Sequence, residues 1–361
     1  MRRKLYSWII IVPVIMWIVG CEPLVTKFPE NSDAVKYTAQ LQETPPAVGS
    51  SLLIMTWNIR FGAGRIPWFG DSCGDRVILT KSEVNANLHA IVEKITEVQP
   101  DILLVQEIDT ESNRTGYINQ VQWILDHTYF NYAVYGSMWK SQFVPSDGLG
   151  RINTGQAVFS RWKLEDTKRI QLALRGDQDA LTTYFYLRRN ILKTKVLIPG
   201  MNDFYILNIH ASAFSTDDTK QKHVTEFKQL FDALHADGAV VVGGGDFNLL
   251  PPGSDSTNYC AEDRCPDDKP DFCPEGSDYS SEMTWMEPLY DTYNSAVPLR
   301  DYQSRNSDYF THSTSGEVFW NRKLDYLFTN GTWVPGTDST YQEAMQLADH
   351  APVSARLVVQ P

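Results

Sequence analysis

The chain has 361 residues, 42% of them hydrophobic and 12% aromatic, which is enough apolar material for a large core and excludes pervasive disorder. Its formal charge is −12, from 44 acidic and 32 basic side chains. An acidic total disfavours a partner gripped mainly through its phosphates, such as nucleic acid, although a local basic cleft stays open.

At the N-terminus, Arg2, Arg3 and Lys4 precede an uncharged run from Leu5 to Gly20 that ends at Cys21. This run is shorter than the roughly 20 residues of a spanning helix, and residues 1–20 have the layout of a signal peptide. Ile18-Val19-Gly20-Cys21 resembles a bacterial lipoprotein signal. That resemblance implies a lipidated Cys21, attachment to a membrane through that lipid, and a body facing the periplasm or the cell exterior; a short transmembrane anchor is the alternative. Removing residues 1–20 takes away three basic side chains and no acid, leaving about −15. Residues 21–50 are polar and punctuated by Pro23, Pro29, Pro45 and Pro46, which predicts a flexible tether. The folded domain is therefore expected over residues 51–361, as a monomer.

From Ser51 onward short apolar runs alternate with helical patterns. Leu52 to Met55, Ile102 to Val105, Tyr205 to Leu207 and Ala239 to Val242 predict buried strands. Between them, Val84, Leu88, Ile91, Ile95 and Val98 fall at helical spacing, and residues 225–234 repeat the pattern. The alternation predicts an α/β domain. Residues 251–285 break it with 9 acidic and 2 basic side chains and three cysteines, and read as a disulfide-braced surface insertion. With Cys21 set aside, Cys73, Cys260, Cys265 and Cys273 remain, an even number for an oxidising compartment. Two disulfides of open connectivity are expected, with a structural zinc site as the weaker alternative.

Each predicted strand runs into polar residues suited to phosphate-ester chemistry: Thr56-Trp57-Asn58, Gln106-Glu107, Asn208-Ile209-His210 and Gly245-Asp246-Phe247-Asn248. In open α/β sheets ligands collect beyond the carboxyl ends of strands. Asp246 and Asn248, two apart, would face the same side of an extended segment. Leu324-Asp325-Tyr326 and Ala348-Asp349-His350 add two acids and a histidine. Gly243-Gly244-Gly245 lacks the Lys-Ser/Thr of a P-loop. His89, His127, His223, His235 and His312 lack ligand spacing, so no second cofactor is expected.

In this order the motifs resemble the endonuclease/exonuclease/phosphatase family, which includes pancreatic-type deoxyribonuclease, abasic-site endonucleases, bacterial sphingomyelinases and inositol polyphosphate 5-phosphatases. The resemblance runs from about Leu52 to Val359. It implies a four-layered sandwich of two packed mixed β-sheets flanked by helices, and metal-dependent hydrolysis of a phosphate ester by water. Glu107 would hold Mg²⁺ or Mn²⁺, with Asn58, Asp325 and Asp349 completing the shell. Asp246 would orient or deprotonate the water, and Asn248 and His210 would hydrogen-bond the phosphoryl group. His350 would serve as base or donor, oriented by Asp325 or Asp349. Arg189 and Asn153 would contact the substrate phosphate, a plain salt bridge being the alternative for Arg189. A nuclease acting on DNA or RNA, or a catalytically silent binding lipoprotein, are the other readings.

Overall fold

The structure is a computed structural model that describes residues 28–70, 73–144, 146–201 and 203–359. The signal segment 1–20 and Cys21 lie outside the described residues. No helix among those described is long and apolar enough to cross a membrane.

In chain order the strands are β1 Asn31–Asp33, β2 Val35–Thr38, β3 Ser51–Asn58, β4 Ile102–Asp109, β5 Tyr132–Val144, β6 Gly150–Ser160, β7 Leu164–Gln171, β8 Asn190–Val196, β9 Phe204–His210, β10 Val240–Asp246, β11 Asn294–Ser295, β12 Asp325–Thr329, β13 Ser339–Thr340 and β14 Val353–Val358. The principal helices are α1 Lys81–Val98, α2 Gln120–Asp126, α3 Ala180–Phe185 and α4 Thr219–Ala236. The strands form two seven-stranded mixed sheets, ordered β1-β7-β8-β9-β10-β12-β11 and β13-β14-β3-β4-β6-β5-β2.

Alternation along the central strands explains the layering. Leu52 and Ile54 on β3, and Ile102 and Leu104 on β4, pack inward against Phe204 and Ile206 of β9 and Val242 of β10. The intervening Met55, Trp57, Leu103 and Val105 face outward onto Val84, Leu88, Ile91 and Ile95 of α1. On the opposite surface Leu207, Ile209 and Val241 meet Val224, Phe227 and Phe231 of α4. Both faces of these strands are buried, hence their unbroken apolar runs. Helix α1 starts on a capping box, with the Thr80 side chain accepting from Glu83 N–H and Glu83 reaching back to Thr80. The glycine run on β10 serves packing: a Cβ on Gly243 would stand 2.6 Å from the Phe227 ring, and one on Gly245 2.0 Å from the Ile209 carbonyl oxygen.

The tether expected over residues 21–50 needs correction. Asn31–Asp33 pairs antiparallel with β7, and Val35–Thr38 with β5, so the segment adds an edge strand to each sheet. The cysteines pair as Cys73–Cys265 and Cys260–Cys273. The first joins the loop after Asn58 to the 251–285 insertion across 192 residues of chain.

Candidate active site

Strand register gathers the predicted polar residues. His210 at the end of β9 lies beside Asp246 at the end of the parallel β10, and Asp246 lies opposite Asp325 at the start of the antiparallel β12. In the other sheet Asn58 ends β3 beside Gln106 of β4. Just beneath, Gln106 Nε2 donates to Asn208 Oδ1 at 2.7 Å, and Asn208 Nδ2 donates to the carbonyls of Val105 and Ala157 at 2.9 Å each. This buried amide network ties the two sheets together at the level of the site.

The side chains converge on Asp246. Asn58 Nδ2 donates to Asp246 Oδ2 and to Glu107 Oε1, both at 3.1 Å. The same Asp246 oxygen lies 3.4 Å from His210 Nε2 and 3.6 Å from His350 Nε2, while Glu107 Oε1 lies 3.8 Å from His210 Nε2. Behind the histidine, Asp325 Oδ2 accepts from His350 Nδ1 at 2.8 Å. The acid that orients His350 is thus Asp325. Asp349 lies near that ring but pairs with Arg60, its Oδ2 3.3 Å from Arg60 Nε.

Two site residues sit in strained backbone. Glu107 occupies the bulge where the β4–β6 register shifts between Val105 and Ile108, with φ +52°, and Asn248 also has φ +52°. Non-glycine residues in this region cost of order 1–3 kcal/mol and persist where the surrounding structure over-determines them. Residues 246–248 are therefore not extended: the chain turns after Asp246, Asn248 N–H donates to Asp246 Oδ1 at 2.9 Å, and Asn248 Nδ2 to the Ala211 carbonyl at 3.3 Å. The turn, rather than strand periodicity, brings both side chains to the site.

Burial and charge set the protonation states. Burial pushes the Asp246 carboxyl up to about 7, with His350 opposing and Asp325 adding to the rise. Burial alone would lower His350, but the carboxylates of Asp325 and Asp246 outweigh it and push it up to about 10. His210 is held well below its ordinary value by burial and by the neighbouring Arg189 and His350 charges. The site therefore pairs a charged histidine with a neutral one around a carboxyl poised near neutrality.

Glu107, His210, Asp246, Asn248 and His350 line one cleft of about 180 Å³ with Arg189, Asp349, His312 and the aromatic side chains of Phe61, Trp68, Trp139, Phe214 and Tyr279. Arg189 is only 7% exposed, and its Nε has no hydrogen-bond partner. Asp325 is fully buried behind His350 and is not among the cleft-lining residues. Asn153 is not among them either, whereas its neighbour Thr154 is. Asn153 Oδ1 instead accepts from the Tyr135 hydroxyl at 3.0 Å and the Ser137 hydroxyl at 2.9 Å. The insertion, expected as a surface loop, forms a wall through Asp263, Glu275, Gly276, Ser277 and Tyr279.

His312, which sequence spacing gave no reason to select, is part of the site. Its ring centroid is 4.5 Å from that of His350, and its Nδ1 meets the Asp349 carbonyl oxygen at 3.0 Å. No local signal marks it, because an isolated bridge between His312 and His350 creates the contact. Another discounted histidine, His223, has a structural place between Ser212 N–H at 3.2 Å and the Ala173 carbonyl at 2.8 Å.

The donor set suits a hard divalent cation. Asp246, Asp325 and His350 present ligand atoms within 4.8 Å of one another, as do His312, Asp349 and His350. Asp325 Oδ1 and Asp349 Oδ1 are buried without hydrogen-bond partners. Carboxylate oxygens gathered at this density are what Mg²⁺-like ions prefer. As placed, Asn58 offers its amide N–H to Glu107 and Asp246, while its Oδ1 accepts from Arg60 N–H at 3.0 Å. It clamps the two carboxylates together and turns no oxygen toward them.

A sequence model of the Endonuclease/Exonuclease/phosphatase family matches residues 55–350. The chain belongs to that family. The family covers metal-dependent phosphoesterases and nucleases. No curated protein matches the chain. Among solved structures, the endonuclease/exonuclease/phosphatase from Beutenbergia cavernae DSM 12333 is 17% identical with a TM-score of 0.54, the match covering 86% of this chain and 72% of that one. A functionally unknown conserved protein from Enterococcus faecalis V583 is 15% identical with a TM-score of 0.52, covering 86% of this chain and 100% of that one. At these identities the likeness shows the shared fold: the sandwich of two mixed seven-stranded sheets flanked by helices.

Proposed function

We propose that this family member hydrolyses a phosphate ester by attack of water on phosphorus, with a divalent cation, Mg²⁺ or Mn²⁺, as cofactor. The observation that carries the proposal is the convergence of Glu107, His210, Asp246, Asn248, His350 and Arg189 on one cleft. Glu107, with the neighbouring acids, would hold the cation, which when bound offsets negative charge on the phosphoryl oxygens. Arg189 and neutral His210 bind the phosphate, Arg189 by charge and His210 as a hydrogen-bond donor. Asp246 accepts a proton from the attacking water, a task for which a pKa near operating pH is favourable. Charged His350, held in one orientation by Asp325, donates to the phosphoryl group or the leaving oxygen. Asn248 orients the phosphoryl group, and Asp349 keeps Arg60 against the site.

We further infer that the protein acts outside the cytoplasm, as a lipoprotein held at a membrane through Cys21. The two disulfides support this, because such bonds persist in oxidising compartments. The test is hydrolysis of bis-p-nitrophenyl phosphate by the full-length chain purified in detergent. Turnover is expected with Mg²⁺ or Mn²⁺, to vanish in EDTA, and to return when metal is restored. Undiminished turnover in EDTA contradicts the mechanism.

A further inference from the structure

The catalytic cleft does not end at the metal-ligand residues. Past Gly70, Phe214 and Glu275, which border both spaces, it opens into a groove of about 540 Å³. Arg175, Asp177, Asp179, Tyr186, Asp268 and Phe272 also line this groove.

The charges along this path are arranged unlike those of a polyanion-binding surface. Arg114 gives Nε and Nη2 to Asp109 at 2.9 Å each, Arg322 Nη1 binds Asp263 at 2.8 Å, and Arg175 binds Asp177 at 2.8 Å. Among the described residues, no lysine lines the cleft or the groove. Among those lining residues, Arg189 keeps a buried guanidinium N–H, Nε, without a partner. A single cation of this kind accommodates one phosphate. Glu275 shares Arg175 with Asp177, its Oε2 3.4 Å from Arg175 Nη2, so one arginine faces two acids there. Asp179 and Asp268 add further negative charge along the groove, next to apolar surface from Phe214 and Phe272, which are 40% and 48% exposed. A nucleic acid needs a cation near each flanking phosphate, since neutralising phosphates supplies most of its binding. Here the next phosphate would meet carboxylates and phenyl rings.

We propose that the substrate carries a single phosphate on a neutral or cationic, partly apolar alcohol. The phosphate sits on Arg189, the alcohol lies in the groove beside Phe214, Phe272 and Glu275, and polyanions such as nucleic acids are rejected. This rests on the phosphoesterase reading above and narrows it. The insertion that carries Asp268, Phe272 and Glu275 is thereby a specificity element, pinned to the opposite rim by Cys73–Cys265.

The experiment compares three probes with the full-length chain in detergent at low ionic strength and saturating Mg²⁺ or Mn²⁺. They are p-nitrophenyl phosphorylcholine, bis-p-nitrophenyl phosphate and a thymidine octanucleotide. The better single-phosphate probe is expected to exceed the octanucleotide, per bond, by at least about tenfold in kcat/KM, the low end of electrostatic selection in a charged cleft. Glu275→Lys is expected to narrow that gap by about threefold or more, and added salt to narrow it in the unsubstituted protein. Octanucleotide cleavage on a par with the single-phosphate probes overturns the substrate class and leaves the phosphoesterase reading standing. An unchanged ratio in Glu275→Lys removes the groove as the selecting element. Hydrolysis of none of the three with either metal refutes both readings.

Discussion

Replacement of Asp325 by asparagine tests how the site controls its charged histidine. Asp325 Oδ2 accepts from His350 Nδ1 at 2.8 Å, and both residues are buried. His350 is raised from 6.5 to about 10 against the opposing effect of burial, and Asp325 is the largest of the three carboxylate contributions, ahead of Asp246 and Asp349. The rise corresponds to about 5 kcal/mol at about 1.4 kcal/mol per pH unit. If Asp325 supplies half or more, Asp325→Asn lowers the His350 pKa by roughly two pH units. A reaction that needs charged His350 is lost as pH rises through that pKa, so the basic limb of the kcat/KM profile moves down by the same amount. At pH 7 most of the histidine stays charged and the loss reflects orientation alone; at pH 9 the loss is greater by a further factor of about 10 or more. Stability follows the same sign. The contribution from charged His350 is complete below pH 6.5 and disappears as pH climbs to about 10, so Asp325→Asn destabilises most at the acid end of that window. The assay is a pH–rate profile from pH 6 to 10 on bis-p-nitrophenyl phosphate, with denaturant melts at pH 6 and pH 9.5. A uniform rate loss with an unmoved basic limb refutes the role given to Asp325.

Glu107→Gln removes the charge that would hold the cation and is expected to lower turnover by at least about 10², with the metal concentration for half-maximal rate rising; wild-type metal titration in this variant rules out Glu107 as a ligand. Asn248→Gly separates backbone strain from side-chain chemistry, because glycine adopts φ +52° freely. Turnover should fall by about 10² while the Tm holds or rises, and a matching fall in both marks Asn248 as structural only. Cys73→Ser opens a loop of 192 residues, worth up to about 5 kcal/mol on the chain-entropy account. A Tm several degrees lower is expected, matched or exceeded by reductant in the parent protein, which also opens Cys260–Cys273, and an unaltered Tm denies the disulfide any part in stability. Lys220→Met strands Glu282, whose carboxylate accepts from Lys220 Nζ at 2.8 Å in a buried pair, and should cost about 3–5 kcal/mol in denaturant unfolding; a loss under 1 kcal/mol shows that water reaches Glu282.

The amino-acid sequence by itself determined the buried strands, the helix that covers them and the polar residues that follow them. Runs such as Leu52 to Met55 and Ile102 to Val105 are apolar on both faces, which only a strand covered on both sides requires, and the 84–98 periodicity requires a helix over one of those faces. Because parallel strands end at a common edge, polar residues following each run, from Asn58 to Asp246, were legible as one site. Tertiary structure alone decided the rest. Residues 31–38 are mostly exposed and join their sheets through backbone hydrogen bonds, which leave no apolar period to read. Asp325 and Asp349 stand equally near His350 in composition and motif, and only the β10–β12 register sets Asp325 behind the ring. His312 meets His350 through an isolated bridge, and the cysteines pair across 192 and 13 residues. The state of each cleft arginine, bonded to an acid or retaining an N–H without a partner, likewise exists only once the chain is folded. It depends on contacts between residues far apart in sequence, and on it rests the proposed distinction between one phosphate and many.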